Sequence, residues 1–206
     1  MHYSQLIPFF NEVENNERIT QSFLSYAGEE FELPGFVVPK PYVLMKCVHS
    51  NEYRIVTRDR EPRTVFFIRL LPVGERQVTL IKKVIPRRKK LTHCMVWSSL
   101  VPDQSHAFQY VATKFFEYFI NDFDLVLAPG TETLCAAHFW EGRLLWSLTH
   151  PHVKVYHIDN LTTTATPLRV KGWLEFMPLW TEFIWESEKD IDPLKLILIT
   201  RDKPKH

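Results

Sequence analysis

Glycine is scarce in this chain. Six glycines stand against 14 prolines in 206 residues, which argues against a glycine-rich phosphate cradle and for stiff, proline-punctuated loops. No serine elbow, Walker loop or dinucleotide fingerprint occurs. Cysteine is sparse too: Cys47, Cys94 and Cys135 sit inside apolar segments without paired spacing, the pattern of reduced thiols rather than of a disulfide framework. No apolar run approaches bilayer length, and Met1-His-Tyr-Ser-Gln5 lacks the charged and apolar blocks of a secretion signal. The expectation is a soluble cytoplasmic protein with no membrane partner. Charge of one sign is also missing, since 25 Lys and Arg against 24 Asp and Glu leave a formal net charge of +1. No global field gathers duplex nucleic acid, so such a partner is not expected unless a local patch recruits it.

What is present is a strong alternation of short apolar runs and amphipathic stretches between His93 and Asp159. Cys94–Leu100 reads as a strand, ended by Val101-Pro102-Asp103. From Ser105 to Asn121 the residues Phe108, Val111, Ala112, Phe115, Phe119 and Ile120 recur at three- and four-residue steps, which predicts a helix with one buried stripe. Phe123–Ala128 reads as a buried strand. Glu132–Leu148 reads as a second helix with Thr131 at its N-cap, stopped at His150-Pro151. Val153–Ile158 alternates as a strand with one covered face. Strands separated by helices imply parallel neighbours joined by crossovers.

The flanks are read in the same way. Ser4–Asn15 and Gln21–Tyr26 are expected as two short helices, the second capped by Thr20 and broken by Gly28. Leu33–Pro41 is a proline-rich loop, Tyr42–Val48 a strand or short helix, and Arg54–Thr57 a short strand. Thr64–Leu71 is expected to pair as a hairpin with Gln77–Ile85 across the turn at 72–76. Trp173–Met177 and Leu194–Thr200 are expected to close the sheet as strands, with Leu179–Trp185 between them open and Arg201–His206 a basic tail. The length suits one domain over residues 1–206, with a central unit at 60–160 and closing strands at 161–206. The fold class expected is α/β with a mixed α+β sheet: N-terminal helices, an antiparallel hairpin, then β-α-β-α-β and closing strands.

This order, with Trp97-Ser-Ser-Leu-Val-Pro-Asp-Gln104 leading into a helix, Asp124-Leu-Val-Leu-Ala128, and Phe139-Trp-Glu-Gly-Arg143 on the next helix, resembles the GNAT acyltransferase superfamily. Within it the chain is similar to the divergent GNAT-like proteins of bacteriophage genomes, which would place it in a host cell cytoplasm. The resemblance covers roughly residues 60–160 and rests on pattern more than on motif. It implies acetyl-coenzyme A or another acyl-coenzyme A as cofactor, no metal, and an amine of a protein or small molecule as acceptor. In that fold two central strands separate, the exposed backbone binds the pantetheine arm, and the pyrophosphate lies on the N–H groups that open the next helix. The residues so implied are Ser98, Leu100, Val101, Gln104, Ser105, His106 and Ala107. The family's Gln/Arg-x-x-Gly-x-Gly/Ala pattern, laid from Gln104, meets Ala107 in place of its first glycine and Gln109 in place of its last small residue.

Acyl transfer to an amine needs a base for the ammonium and an acid for the departing thiolate. His93, Glu132 and His138 are the candidate bases. The family's tyrosine acid has no counterpart on the 132–148 helix, which offers Phe139 and Trp140 instead, and an indole N–H does not titrate usefully. A second reading is therefore a GNAT-like fold without catalysis, serving a phage as a binding or regulatory protein on a host or viral partner. A third is a nucleic-acid-associated protein using the basic segment Lys82, Lys83 and Arg87-Arg-Lys-Lys90. His150, His152 and His157 have no acidic or cysteine ligand beside them at turn or helical spacing, so no metal is expected. The aromatics of residues 173–185 suit a core, or a protein interface.

Overall fold

The computed structural model describes residues 9–85, 89–99, 101, 104, 108, 110–127, 134–159, 162, 164–185 and 195–202. Among these residues five helices, α1 (Val13–Tyr26), α2 (Glu75–Val84), α3 (Val111–Phe119), α4 (Leu134–Thr149) and α5 (Trp173–Trp185), accompany nine strands. The strands are β1 (Gly28–Glu30), β2 (Tyr42–Cys47), β3 (Glu52–Thr57), β4 (Thr64–Pro72), β5 (Lys90–Ser98), β6 (Phe123–Leu127), β7 (Val153–Ile158), β8 (Leu168–Val170) and β9 (Leu196–Arg201). They form one mixed sheet in the order β1-β2-β3-β4-β5-β6-β9-β7-β8. The expected α/β class with a mixed sheet is what the chain adopts. The chain divides into two compact units, Met1–Leu71 with Met95–Tyr118, and Pro72–Cys94 with Phe119–His206.

The first unit is built on an antiparallel meander. β1 pairs with β2, β2 with β3 and β3 with β4. All six residues of β3 are buried, so this strand is covered on both faces. Its core is largely aromatic, with Phe66, Phe67 and Phe115 buried and the Tyr53 and Phe115 rings 5.0 Å apart. Leu33-Pro-Gly-Phe36 forms a turn closed by the Phe36 N–H on the Leu33 carbonyl at 3.1 Å. Gly35 takes φ +74° there, a conformation that costs a side chain and that glycine adopts freely.

Two short helices are expected at the N-terminus; Phe9 and Phe10 are helical, and after a break at 11–12 the helix α1 runs through both Asn15 and Gln21. Asn16, Thr20 and Phe23 form its buried face, and two of these are polar, which hides the stripe from a hydrophobicity pattern. Thr20 is consequently a buried mid-helix residue rather than a cap. The Asn16 carboxamide acts as a stand-in for a neighbouring strand. Its Oδ1 accepts from the Thr64 N–H at 2.8 Å and its Nδ2 donates to the Thr64 carbonyl at 2.9 Å and the Phe10 carbonyl at 3.0 Å. Thr20 Oγ1 joins through Thr64 Oγ1 at 2.7 Å.

The second unit orders the first part of β5, then β6, β9, β7 and β8. β5 and β6 are parallel, as expected, but β6 and β7 are not neighbours, because β9 lies between them antiparallel to both. β7 occupies Val153–Ile158 as read from the alternation. Its burial pattern covers Val153, Val155 and His157 on alternate positions.

Two elements depart from expectation in type. Residues 77–85 do not return as a strand: they form α2, whose Ile81 is fully buried and packs with Ile85, Val73, Leu91, Val126 and Leu198. Val78, Ile81 and Ile85 stand at helical spacing, Glu75 sits in the first turn, and Lys82 and Lys83 sit in the last turn, each complementing the helix dipole. The β-branched run Val78-Thr79 and Ile81 favours a strand only locally. The hairpin of β4 is made with β3 instead. Trp173–Met177 is likewise the start of α5. Phe176 and Trp180 lie one turn apart with ring centroids at 5.7 Å, both buried. The start is fastened by the Lys171 N–H on the Glu175 carboxylate at 3.0 Å and the Phe176 N–H on the Gly172 carbonyl at 3.1 Å.

Candidate functional site

β5 begins earlier than expected, at Lys90 rather than Cys94, because Leu91 is a core residue that packs against Val73 and Val126. His93 is therefore inside the strand and not at its start. The parallel ladder with β6 joins Lys90 to Phe123, Leu91 to Asp124 and Thr92 to Leu125. At the next position the register ends. There the His93 imidazole takes the place of a backbone partner, with Nδ1 at 2.9 Å from the Val126 carbonyl. Along β5, Leu91 and Thr92 are buried, whereas His93 to Trp97 are all half-buried.

A carbonyl oxygen can only accept, so Nδ1 carries the proton and Nε2 holds the lone pair. Burial pushes the His93 imidazole below the ordinary histidine range, and the bond to Val126 opposes that push. His93 is accordingly neutral at physiological pH, with a basic nitrogen of fixed tautomer. The same shift links to stability. With the folded value depressed, the unfolded chain binds the proton first as pH falls, so stability is complete above about pH 6.5 and is lost on descending from there through the folded value. Urea unfolding of the wild type at roughly pH 7.5 and pH 5 should show a drop that is smaller in His93→Gln, which keeps a donor but cannot titrate.

Beyond the ladder, Trp97, Ser99, Val101 and Gln104 line a cavity of about 420 Å³ together with Asn11 and Arg63. The Trp97 indole donates to Asn11 Oδ1 at 3.2 Å and its ring lies 5.0 Å from that of Phe10. The Ser99 N–H bonds to the Val65 carbonyl at 2.8 Å, the Val101 N–H to Ser99 Oγ at 3.3 Å and the Gln104 N–H to the Val101 carbonyl at 3.0 Å. The turn after β5 thus brings Val101 and Gln104 onto one concave surface, while Ser98 is exposed and is not among the residues lining it. Arg63 and Asn11 are members that no spacing in the chain points to, because they come from separate elements that the fold brings to the Trp97–Gln104 segment.

Leu100, Ser105, His106, Ala107 and Glu132 lie outside the described residues, as do Thr131 and the pair Arg87 and Arg88. His138 belongs to α4, where only its backbone position is described. In the same helix Trp140 is 1% exposed and Leu144 is fully buried, so both are core residues. Tyr53, which does have a phenol, is buried beside Tyr118, and both effects push its hydroxyl well above the ordinary tyrosine range.

The basic segment is partly spent on structure. Lys89 Nζ donates to the Ile120 carbonyl at 2.8 Å and the Arg201 carbonyl at 2.7 Å. Lys82 and Lys83 are exposed on α2 rather than on a strand. His150 finishes α4, its Nδ1 at 2.7 Å from the Trp146 carbonyl and its ring stacked on that indole at 3.6 Å. Among the described residues no three His, Cys, Asp or Glu side chains gather as metal ligands, and no helix is long and apolar enough to cross a membrane. Comparison with protein-family models and with curated proteins gives no match.

Proposed function

We propose that the chain is an acyl-coenzyme-A-dependent N-acyltransferase of GNAT-like type, acting on an amine of a protein or small molecule. The observation that carries this reading is the end of the β5–β6 register at Thr92 and Leu125, with a histidine at the next position of β5. Strands that stop pairing leave backbone donors and acceptors that require other partners, and the pantetheine arm of acyl-coenzyme A is an amide chain able to supply them. The segment after β5 would then hold the cofactor through Ser98, Leu100, Val101, Gln104, Ser105, His106 and Ala107. His93 would take the proton of the attacking amine on Nε2, with Glu132 and His138 as the other candidate bases. The amine nitrogen forms the new bond to the acyl carbon, the carbon–sulfur bond breaks, and the leaving thiolate takes its proton from solvent, since α4 carries no tyrosine.

That missing tyrosine, with Trp140 of the same helix buried, supports a second reading: a GNAT-like fold without catalysis, used as a binding or regulatory protein in a phage-infected cell. A thiol-release assay with acetyl-coenzyme A and an amine acceptor separates the two. The enzyme reading expects release above the uncatalysed rate, reduced about 100-fold in kcat by His93→Gln, with Gln104→Ala raising KM. Cofactor binding without release selects the scaffold. For the nucleic-acid reading, the contribution of Lys89 to structure leaves Lys82, Lys83 and Lys90 as described cations, and unchanged heparin retention of Arg87→Ala/Arg88→Ala removes it.

A further inference from the structure

The first unit carries another cavity, of about 700 Å³, between α1 and the β2–β4 strands. We propose that it binds a phosphate monoester, the phosphoryl group sitting among Arg18, Arg54 and Arg69. The strand register assembles the polar wall. Glu52 is directly opposite Arg69, and Arg54, two residues along β3, shares their face. Glu52 Oε1 accepts from Arg54 Nε at 2.8 Å and lies 2.6 Å from its Nη2, while Oε2 lies 3.4 Å from Arg69 Nη1. One buried carboxylate is thus shared by two guanidinium groups. Arg18 adds a third from α1, and its Nη2 contacts the neutral Asn15 Oδ1 at 3.4 Å.

Three arginines and one glutamate line the cavity, so its wall is more cationic than anionic. Guanidinium donors beside an apolar wall favour an anion. A phosphate monoester carries about −1.5 to −2 near neutral pH and presents several acceptor oxygens, whereas a single carboxylate supplies half that charge. Arg54 is already rigid: its guanidinium lies 4.3 Å from the Phe23 ring centroid, 5.4 Å from Phe10 and 5.7 Å from Phe67. It also has more N–H donors than its contacts with Glu52 and the Ile19 carbonyl use. Ser22 and Ser50 add hydroxyls, and Ile19, Phe23 and Tyr26 provide apolar wall for the organic part of an ester. Preorganised cations beside apolar wall are the requirements for selective oxyanion binding.

The test is calorimetric titration of the full chain with phenyl phosphate, inorganic phosphate and benzoate at matched ionic strength. Saturable binding is expected, with phenyl phosphate tightest and benzoate weakest. Arg18→Gln, at an exposed helix position, should leave the melting temperature of the ligand-free protein unchanged and weaken phenyl phosphate by about tenfold. Absence of saturable heat, or unchanged affinity in Arg18→Gln, overturns the proposal. Benzoate binding as tightly as phenyl phosphate overturns the phosphate assignment. Gln104→Ala leaves this affinity unchanged, which keeps the outcome independent of the acyltransferase reading.

Discussion

Arg54→Ala lowers the unfolding free energy by about 3–5 kcal/mol, because it breaks a buried ion pair from one side. Arg54 is 6% exposed and Glu52 7%, so the carboxylate left behind keeps only the 3.4 Å contact with Arg69. Burial pushes the Arg54 guanidinium below its ordinary value and Glu52 opposes that, the expected pattern for a charge whose desolvation is offset by a partner. The rings of Phe10, Phe23 and Phe67 lose the guanidinium that lies over them as well. Urea unfolding of Arg54→Ala measures the loss. In Glu52→Gln/Arg54→Met the double replacement costs less than the two single changes added, by more than about 1 kcal/mol, since no unpaired charge remains.

Asn16→Ala should cost about 2–4 kcal/mol, the second largest effect expected. The side chain satisfies both backbone groups of Thr64 and the carbonyl of Phe10 from a position that is 5% exposed. Its removal takes a donor from the buried carbonyls of Thr64 and Phe10, while the Thr64 N–H keeps Thr20 Oγ1 at 3.0 Å; losing a buried partner is costlier than the net worth of the bonds themselves. Asn16→Asp is diagnostic: it preserves the bond from the Thr64 N–H but sets a carboxylate against two carbonyls. Its loss should exceed that of Asn16→Ala at neutral pH and diminish as the carboxyl protonates in acid, readable from urea midpoints across pH.

In the first unit the strands β3 and β4 and the helix α3 were legible in the chain, but the contacts of those two sites were not. Glu52 and Arg69 meet through strand register, and Asn16 meets Thr64 across 48 positions; neither juxtaposition has a sequence spacing. In the second unit β6, α4 and β7 were legible because their apolar period and their bounding turn residues agree. α2 and α5 were misread where β-branched or aromatic composition outweighed period. In both, the four-residue steps of Ile81–Ile85 and Phe176–Trp180 carry the true signal. The insertion of β9 between β6 and β7 has no local signature at all, since it depends on which strands the last one pairs with. For the candidate site, the turn after β5 and the histidine of that strand were visible. The end of the ladder and the contribution of Asn11, Arg63 and Trp97 to the cavity required the fold.

The central claim concerns a cofactor, and calorimetric titration of the full chain with acetyl-coenzyme A tests it most directly. The account predicts saturable binding with a dissociation constant on the order of micromolar, weakened in Gln104→Ala. Absence of binding heat up to about 1 mM acetyl-coenzyme A would contradict it.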